Sequence, residues 1–222
     1  MDIVQENLSN KWHLARQKWQ GFHWIFFLDV QGLTLCLLRF ETAYYDKNFD
    51  SAITELKCAA NLLRASGAAM TLAGSFKKEH YETLVRPSMM PPQMSIDDFS
   101  GLMSWDHARL IKLWKQLSPI FGELSEPVSS SHKAFIQAFI SMIQAHSDVC
   151  KKFVGNSNSI RSSDPGVSVL EKILTHRLKM IDPNNTSECP FSSSDAPSEK
   201  NISGAISDPA TDIKKIEKWI QT

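Results

Sequence analysis

The sequence lacks the patterns that build a β-sheet or a stapled extracellular fold. No segment alternates apolar and polar residues over the length of a strand, and no hairpin turn joins two such segments. Only four cysteines occur among 222 residues, and no two have the C-x-x-C spacing of a zinc site. Phosphate-loop, G-x-S-x-G and H-E-x-x-H motifs are also missing. We therefore predict a helical protein with reduced cysteines.

The chain also lacks an excess of charge of either sign. It has 24 basic and 24 acidic residues, which argues against a nucleic-acid binder and against a polybasic membrane surface. The N-terminus has no apolar signal core. The most apolar stretch, Phe22 to Phe40, is a poor membrane span because His23, Asp29 and Arg39 interrupt it. We expect a cytoplasmic protein that contacts neither nucleic acid nor membrane.

Helical periodicity is what the sequence does contain, and it predicts an all-α, multi-helix bundle. Pro87, Pro91 and Pro92 predict an extended turn in its middle. Two helices are expected before the turn at Lys11–Gln20 and Trp24–Asp46, and a third begins at a cap on Asn48 or Asp50 and can reach Val85. A fourth helix is capped by Ser104 or Asp106 and stopped by Pro119. The fifth is long, with caps at Ser129–Ser131 and an end at Gly155, and the sixth covers Val167–Met180. Small residues between Ser66 and Ser75 predict that another part of the molecule closely approaches the backbone of the third helix.

The composition divides the chain into three parts. Residues 1–181 form the predicted helical domain. Residues 182–208 are rich in Ser, Pro, Asn and Asp with little to bury, which predicts a disordered tail. Residues 209–222 contain a short amphipathic helix with Ile213, Ile216, Trp219 and Ile220 on one side. This C-terminal segment is a possible docking site for a protein partner.

Several predicted helices carry a polar residue on the apolar face. His146 lies on the stripe that contains Phe139, Met142 and Val149, and His107 lies on the stripe that contains Leu110. Glu41 and His80 occupy similar positions in other helices. Burying such groups is costly unless they pair or ligate something. For any one of these polar residues, a hydrogen bond inside the core is the simplest explanation. Because several helices carry such a residue, a metal or cofactor site is an alternative explanation for the group.

Two site chemistries could use these groups. A Glu/His set facing into a bundle can hold a non-haem metal pair, although the Glu-x-x-His pattern of such sites is missing. Alternatively, one His can be the axial ligand of a haem in a dry apolar pocket. His146 suits this second role because Phe139, Ile143, Val149 and Cys150 surround it in the helix.

The segment from Leu84 to Pro183 resembles the C-terminal part of the indoleamine 2,3-dioxygenase and tryptophan 2,3-dioxygenase superfamily, in particular its pyrrolnitrin-biosynthesis branch. The first similarity is VRPSMMPP, residues 85–92. The second is the helix QAHSDVCKKFVG, residues 144–155, followed by a polar loop, another helix and Met180-Ile181-Asp182-Pro183. The similarity covers about 100 residues.

This resemblance implies a haem b protein, with His146 as the axial ligand to iron and Arg86 and Arg161 as further cofactor-binding residues. It implies an oxidoreductase of the dioxygenase kind that acts on an indole or a related aromatic amino-acid derivative in secondary metabolism. The Gly-rich loop of the family is replaced here by NSNSIRSSDPG, residues 156–166. Catalytic residues are not assigned, and Arg39, Glu41, His23 and His80 are candidates for the distal side.

Two alternatives to the dioxygenase remain open from the sequence. The chain can be a non-catalytic helical accessory protein that binds a partner or a ligand. It can also be a non-haem metal oxidase of the helical-bundle type.

Overall fold

The computed structural model describes residues 2–93, 104–155 and 166–191, with side chains from residue 14 onward. Every regular element in these ranges is helical, which confirms the predicted fold class. The elements are α1 (Asp2–Tyr45), α2 (Phe49–Ala73), α3 (Lys78–His80), a π-helix (Tyr81–Val85), α4 (Arg86–Ser88), α5 (Trp105–Glu123), α6 (Val128–Phe153) and α7 (Gly166–Ile181).

The first two predicted helices are one continuous helix, α1, 44 residues long. Gly21 lies at the predicted break, but an exposed glycine costs a helix only about 1 kcal/mol and does not interrupt it. The segment Leu14–Tyr45 is long and apolar enough to cross a membrane, and 33% of its most apolar window is buried inside the protein. Its buried face packs against α2 and α5, which makes α1 a wall of the bundle.

Of the predicted caps, Ser129–Ser131 are wrong, because α6 begins at Val128 and these serines lie inside the helix. Three other caps are confirmed. Asn48 accepts a hydrogen bond from the Ser51 amide, and Ser104 Oγ accepts one from the His107 amide. Gly155 follows α6 with a φ of +56°, a left-handed conformation that suits glycine.

Two further predicted helix ends are wrong. Helix α2 ends at Ala73, well before Val85, and the chain re-enters helical structure only at Lys78. Pro119 does not stop α5, which continues to Glu123. Pro119 is exposed, so water can reach the carbonyl that the proline leaves unpaired, while buried Phe121 holds the last turn on the core.

The residues after α7 belong to the folded body as far as Phe191. The buried Asp182 carboxylate accepts hydrogen bonds from the Thr186 and Ser187 amides, each at 2.9 Å. Asn184 donates to the Gly122 carbonyl at the end of α5. The first ten residues of the predicted tail are therefore ordered against α5 and α7. The rest of that tail and the segment 209–222 lie outside the described residues.

Candidate functional site

A cavity lies between the inner faces of α1, α2, α5, α6 and α7. Its enclosed volume is about 20 Å³, which is room for one water molecule, and it opens in part to solvent. Apolar side chains make most of the wall, and the polar lining is Ser66, His107, Trp114, His146 and Arg177. The apolar lining residues are Phe26, Val30, Leu33, Leu63, Leu110, Phe139, Met142 and Leu174. The cavity thus combines dry walls with a few convergent polar groups, the usual form of a ligand site.

His146 reaches this cavity from α6, on the stripe where the sequence places it. Its side chain is half-buried. Burial lowers the pKa of His146 to about 4, and the positive charges of Arg177 and His23 act in the same direction. At neutral pH the imidazole is uncharged, and this is the form that binds a metal ion.

His107 reaches the same cavity from the first turn of α5, where the Ser104 cap fixes its backbone. The side chain is only 4% exposed and stacks on the Phe26 ring with centroids 5.6 Å apart. Burial lowers the pKa of His107 well below its ordinary value, with further contributions from Arg177 and His146. The Nδ1 atom is buried and has no hydrogen-bond partner among the described residues. Most buried polar atoms are paired, so this nitrogen is a candidate for contact with a ligand.

Trp114 and Arg177 complete the polar lining, and the sequence reasoning did not select them. The Trp114 ring is 2% exposed, and its Nε1–H is a second buried group without a partner among the described residues. Arg177 is 7% exposed, although it carries a charge. A sequence signal for Arg177 was present, because it continues the helical spacing of the buried Leu170 and Leu174 and therefore faces inward.

Ser66 connects the cavity to a carboxyl group behind it. Its hydroxyl donates to Asp29 Oδ2 of α1 at 3.3 Å. Burial raises the pKa of Asp29, while the Ser66 hydrogen bond acts in the opposite direction. Asp29 is not itself a lining residue, and no acidic side chain of the described residues lines the cavity.

The other residues that the resemblance selected are not brought to the cavity. Arg86 is half-buried in α4 and does not line the cavity. Burial raises the pKa of the nearby Tyr81, and the charge of Arg86 acts in the opposite direction. Arg161 lies outside the described residues. Their assignment to a cofactor remains a prediction.

The candidates for a distal side are dispersed as well. Glu41 accepts a hydrogen bond from Gln116 at 2.6 Å, Arg39 is exposed, and His80 is half-buried in α3. His23 donates from Nδ1 to the Trp19 carbonyl at 2.6 Å and is close enough to lower the pKa of His146. None of these four residues lines the cavity.

The side chains that line the cavity suit a haem better than a metal ion held by several protein ligands. Two uncharged imidazoles, His107 and His146, face a mostly apolar space, as an axial haem ligand requires. The enclosed part has room for a water-sized molecule, so a porphyrin can enter only if the walls move apart. By contrast, the described residues contain no group of three or more His, Cys, Asp or Glu that could hold a metal ion. The non-haem alternative therefore gains no support.

Comparison with known proteins gives a family, and it corrects the resemblance proposed from the sequence. The sequence model of the SfmD 3-methyl-L-tyrosine peroxygenase family matches residues 5–134, more than half of the chain. The curated 3-methyl-L-tyrosine peroxygenase of Streptomyces lavendulae is 28% identical over 144 residues. That alignment covers 65% of this chain but only 39% of the relative. No solved structure matches the chain.

The proposed kinship with indoleamine and tryptophan dioxygenases is therefore wrong. The comparisons return no such dioxygenase, and the family match lies in the N-terminal part rather than in residues 84–183. The features behind the resemblance, a Pro-rich turn and a His-bearing helix that ends at a glycine, recur in unrelated helical proteins because proline and glycine end helices in general. The match includes His107 and Trp114 and ends before His146. The chain belongs to the SfmD 3-methyl-L-tyrosine peroxygenase family.

Proposed function

We propose that this chain binds haem in the cavity between α1, α2, α5, α6 and α7 and takes part in oxygen transfer from peroxide to an aromatic amino-acid derivative in secondary metabolism. The observation that carries the proposal is that the imidazoles of His107 and His146 line one apolar cavity, and that His107 Nδ1 is buried there without a partner. The name of the family and of its curated relative supplies the reaction class.

In this proposal His146 holds the iron, and His107 offers a second imidazole to the same group. Bound haem would supply the redox chemistry that activates peroxide, which amino-acid side chains cannot provide. The chain keeps both imidazoles uncharged at neutral pH, so that their lone pairs are free to bind metal. The apolar wall, which includes Phe26 and Phe139, excludes water and gives an aromatic ring a surface on which to pack.

This chain matches only about two fifths of the length of the curated relative, so the relative's full activity does not transfer to it directly. The second candidate function is therefore that of a helical accessory protein, which would hold a ligand in the same cavity without turnover.

Haem titration tests the proposal directly. The purified protein is reconstituted with haemin, and the Soret band is followed for the wild type, for His146→Ala and for His107→Ala. We expect saturable binding by the wild type and a lost or shifted band in His146→Ala, with partial recovery when imidazole is added. The effect of His107→Ala shows whether a second imidazole holds the iron, and a pyridine haemochrome spectrum identifies the haem type.

His80→Ala is the matched control, because His80 is half-buried in α3 and does not line the cavity. Far-UV circular dichroism of each variant confirms that the helices persist. A wild type that gives no Soret band after haemin supplementation would refute the haem proposal. Saturable haem binding without peroxide-dependent turnover of 3-methyl-L-tyrosine would favour the accessory function.

A further inference from the structure

Helices α1 and α2 form an antiparallel hairpin in which one stripe of α1 faces one stripe of α2. Asp29 of α1 accepts a hydrogen bond from Ser66 of α2 at 3.3 Å. One turn nearer the hairpin loop, a Cβ built on Gly32 would stand 3.1 Å from Leu62 Cδ1. Residues three or four positions apart share a helix face, so these two contacts fix which residues meet in the following turn.

The following turn brings two cysteines together. Cys36 lies four positions after Gly32, and Cys58 lies four positions before Leu62, so both continue the facing stripes. Cys36 is half-buried against the core, whereas Cys58 is exposed. Burial raises the pKa of Cys36 to about 11, and Glu55 and Cys58 act in the same direction. The influence of Cys58 agrees with the register, because it requires the two thiols to be close.

We propose that Cys36 and Cys58 form a dithiol that hydrogen peroxide converts to an intramolecular disulfide. Solvent reaches Cys58, whose sulfur, as the thiolate, attacks one peroxide oxygen; the O–O bond breaks, and the products are a sulfenic acid and water. The Cys36 sulfur then attacks the Cys58 sulfur, the S–O bond breaks, and a second water leaves. Two thiols thus lose two electrons and two protons, and one peroxide is reduced to two waters.

The packing of the hairpin suits this bond. A disulfide requires Cα atoms about 4.4–6.8 Å apart, closer than the roughly 8–10 Å between the axes of packed helices. Gly32, one turn from Cys36, has no side chain to hold α2 away, and the small Ala59 next to Cys58 is fully buried. Peroxide is also the co-substrate that the proposed function assigns, so a chain in that role meets this oxidant, although the disulfide itself does not require haem.

Thiol counting and peptide mapping test the proposal. The purified full-length chain, without added haemin, is reduced, freed of reductant and exposed to hydrogen peroxide. We expect the free thiols of the denatured protein to fall from four to two. Trypsin should then release residues 19–39 and 58–64 as one linked pair of peptides, which dithiothreitol separates. The oxidised protein should also need more urea to unfold, because the bond closes a loop in the unfolded chain.

Variants assign the bond to its two residues. Cys36→Ser and Cys58→Ser should each abolish the linked pair. In Cys36→Ser the first step has no second thiol to complete it, so dimedone should trap a sulfenic acid on Cys58. Cys189→Ser is the matched control and should retain the linked pair, because Cys189 lies after α7 beside Thr175.

The proposal is overturned if peroxide consumes no thiols, if thiols are lost without the linked pair, or if Cys58 is joined only to Cys58 of another molecule. Because the wild-type experiment needs no variant, a variant that fails to fold does not remove the test. The outcome is separable from that of the haem proposal, since the Soret band reports haem and the peptide map reports the disulfide.

Discussion

Gly67 of α2 lies directly against Met142 of α6. A Cβ built on Gly67 would stand 3.3 Å from Met142 Cα, closer than most side-chain contacts in proteins. The small-residue segment between Ser66 and Ser75 therefore does what its composition predicts and lets a second helix approach. Met142 lines the cavity one turn before His146, so this contact helps to set the position of the candidate haem ligand.

Gly67→Ala should destabilise the protein by about 1–3 kcal/mol, because the new methyl group meets the backbone of α6, which cannot rotate away. The same substitution at Gly21 should stabilise it by about 0.5–1 kcal/mol, because nothing lies within 4 Å there and alanine favours a helix. Urea unfolding measures both. Equal effects of the two substitutions would show that α2 and α6 are not in close contact at Gly67.

His132→Ala should detach the end of α7 from α6. His132 Nε2 donates to the Ile181 carbonyl at 2.8 Å, and its ring stacks on Phe121 with centroids 4.5 Å apart. Losing both contacts in the core should cost about 1–3 kcal/mol in the free energy of unfolding. His80→Ala, at a half-buried position in α3, should change it far less. If the two variants unfold at the same urea concentration, the anchoring role of His132 is wrong.

Ser147→Ala should loosen α6 from α7 next to the cavity. The fully buried Ser147 hydroxyl donates to Glu171 Oε1 at 3.0 Å, and the same oxygen lies 3.0 Å from Lys151 Nζ. We expect a loss of about 0.5–1.5 kcal/mol in unfolding free energy, since one hydrogen bond is removed while the ion pair remains. Ser141→Ala is the control, because Ser141 is exposed and its hydroxyl donates to the Gln137 carbonyl within α6. Comparable stability of the two variants would argue against this link.

Acid should destabilise the haem-free protein through its buried imidazoles. The pKa of His146 is about 4 in the folded state against an ordinary value of 6.5, and burial lowers the pKa of His107 and His132 in the same direction. The unfolded chain therefore binds more protons between pH 6.5 and about 4. The stability that these neutral imidazoles contribute is complete above pH 6.5 and is lost as the pH falls through this window.

Urea unfolding between pH 7.5 and pH 4.5 measures this dependence. His146→Gln should flatten the decline in unfolding free energy, because glutamine cannot take up the proton. An equally steep decline in His146→Gln would show that His146 is not held uncharged by the fold.

The candidate site was predictable in part. Helical spacing alone places His146 and His107 on inward faces, since a residue three or four positions from buried neighbours shares their side of the helix. The same rule also selects Glu41 and His80, which the structure places away from the cavity. Periodicity tells which side of a helix is buried, but it does not tell which helices meet there. Trp114 was not selected, because only the tertiary structure shows that its N–H is buried without a partner among the described residues.

The sequence by itself determined the helical class, the caps at Asn48, Ser104 and Gly155, and the inward faces that carry the histidines, because these depend on backbone preferences and on spacing within one segment. Only the tertiary structure decided that His107 and His146, 39 positions apart, share a cavity with Arg177. It also decided that Pro119 stays inside a helix. Both outcomes depend on contacts between distant segments, in which the burial of apolar surface outweighs local preference.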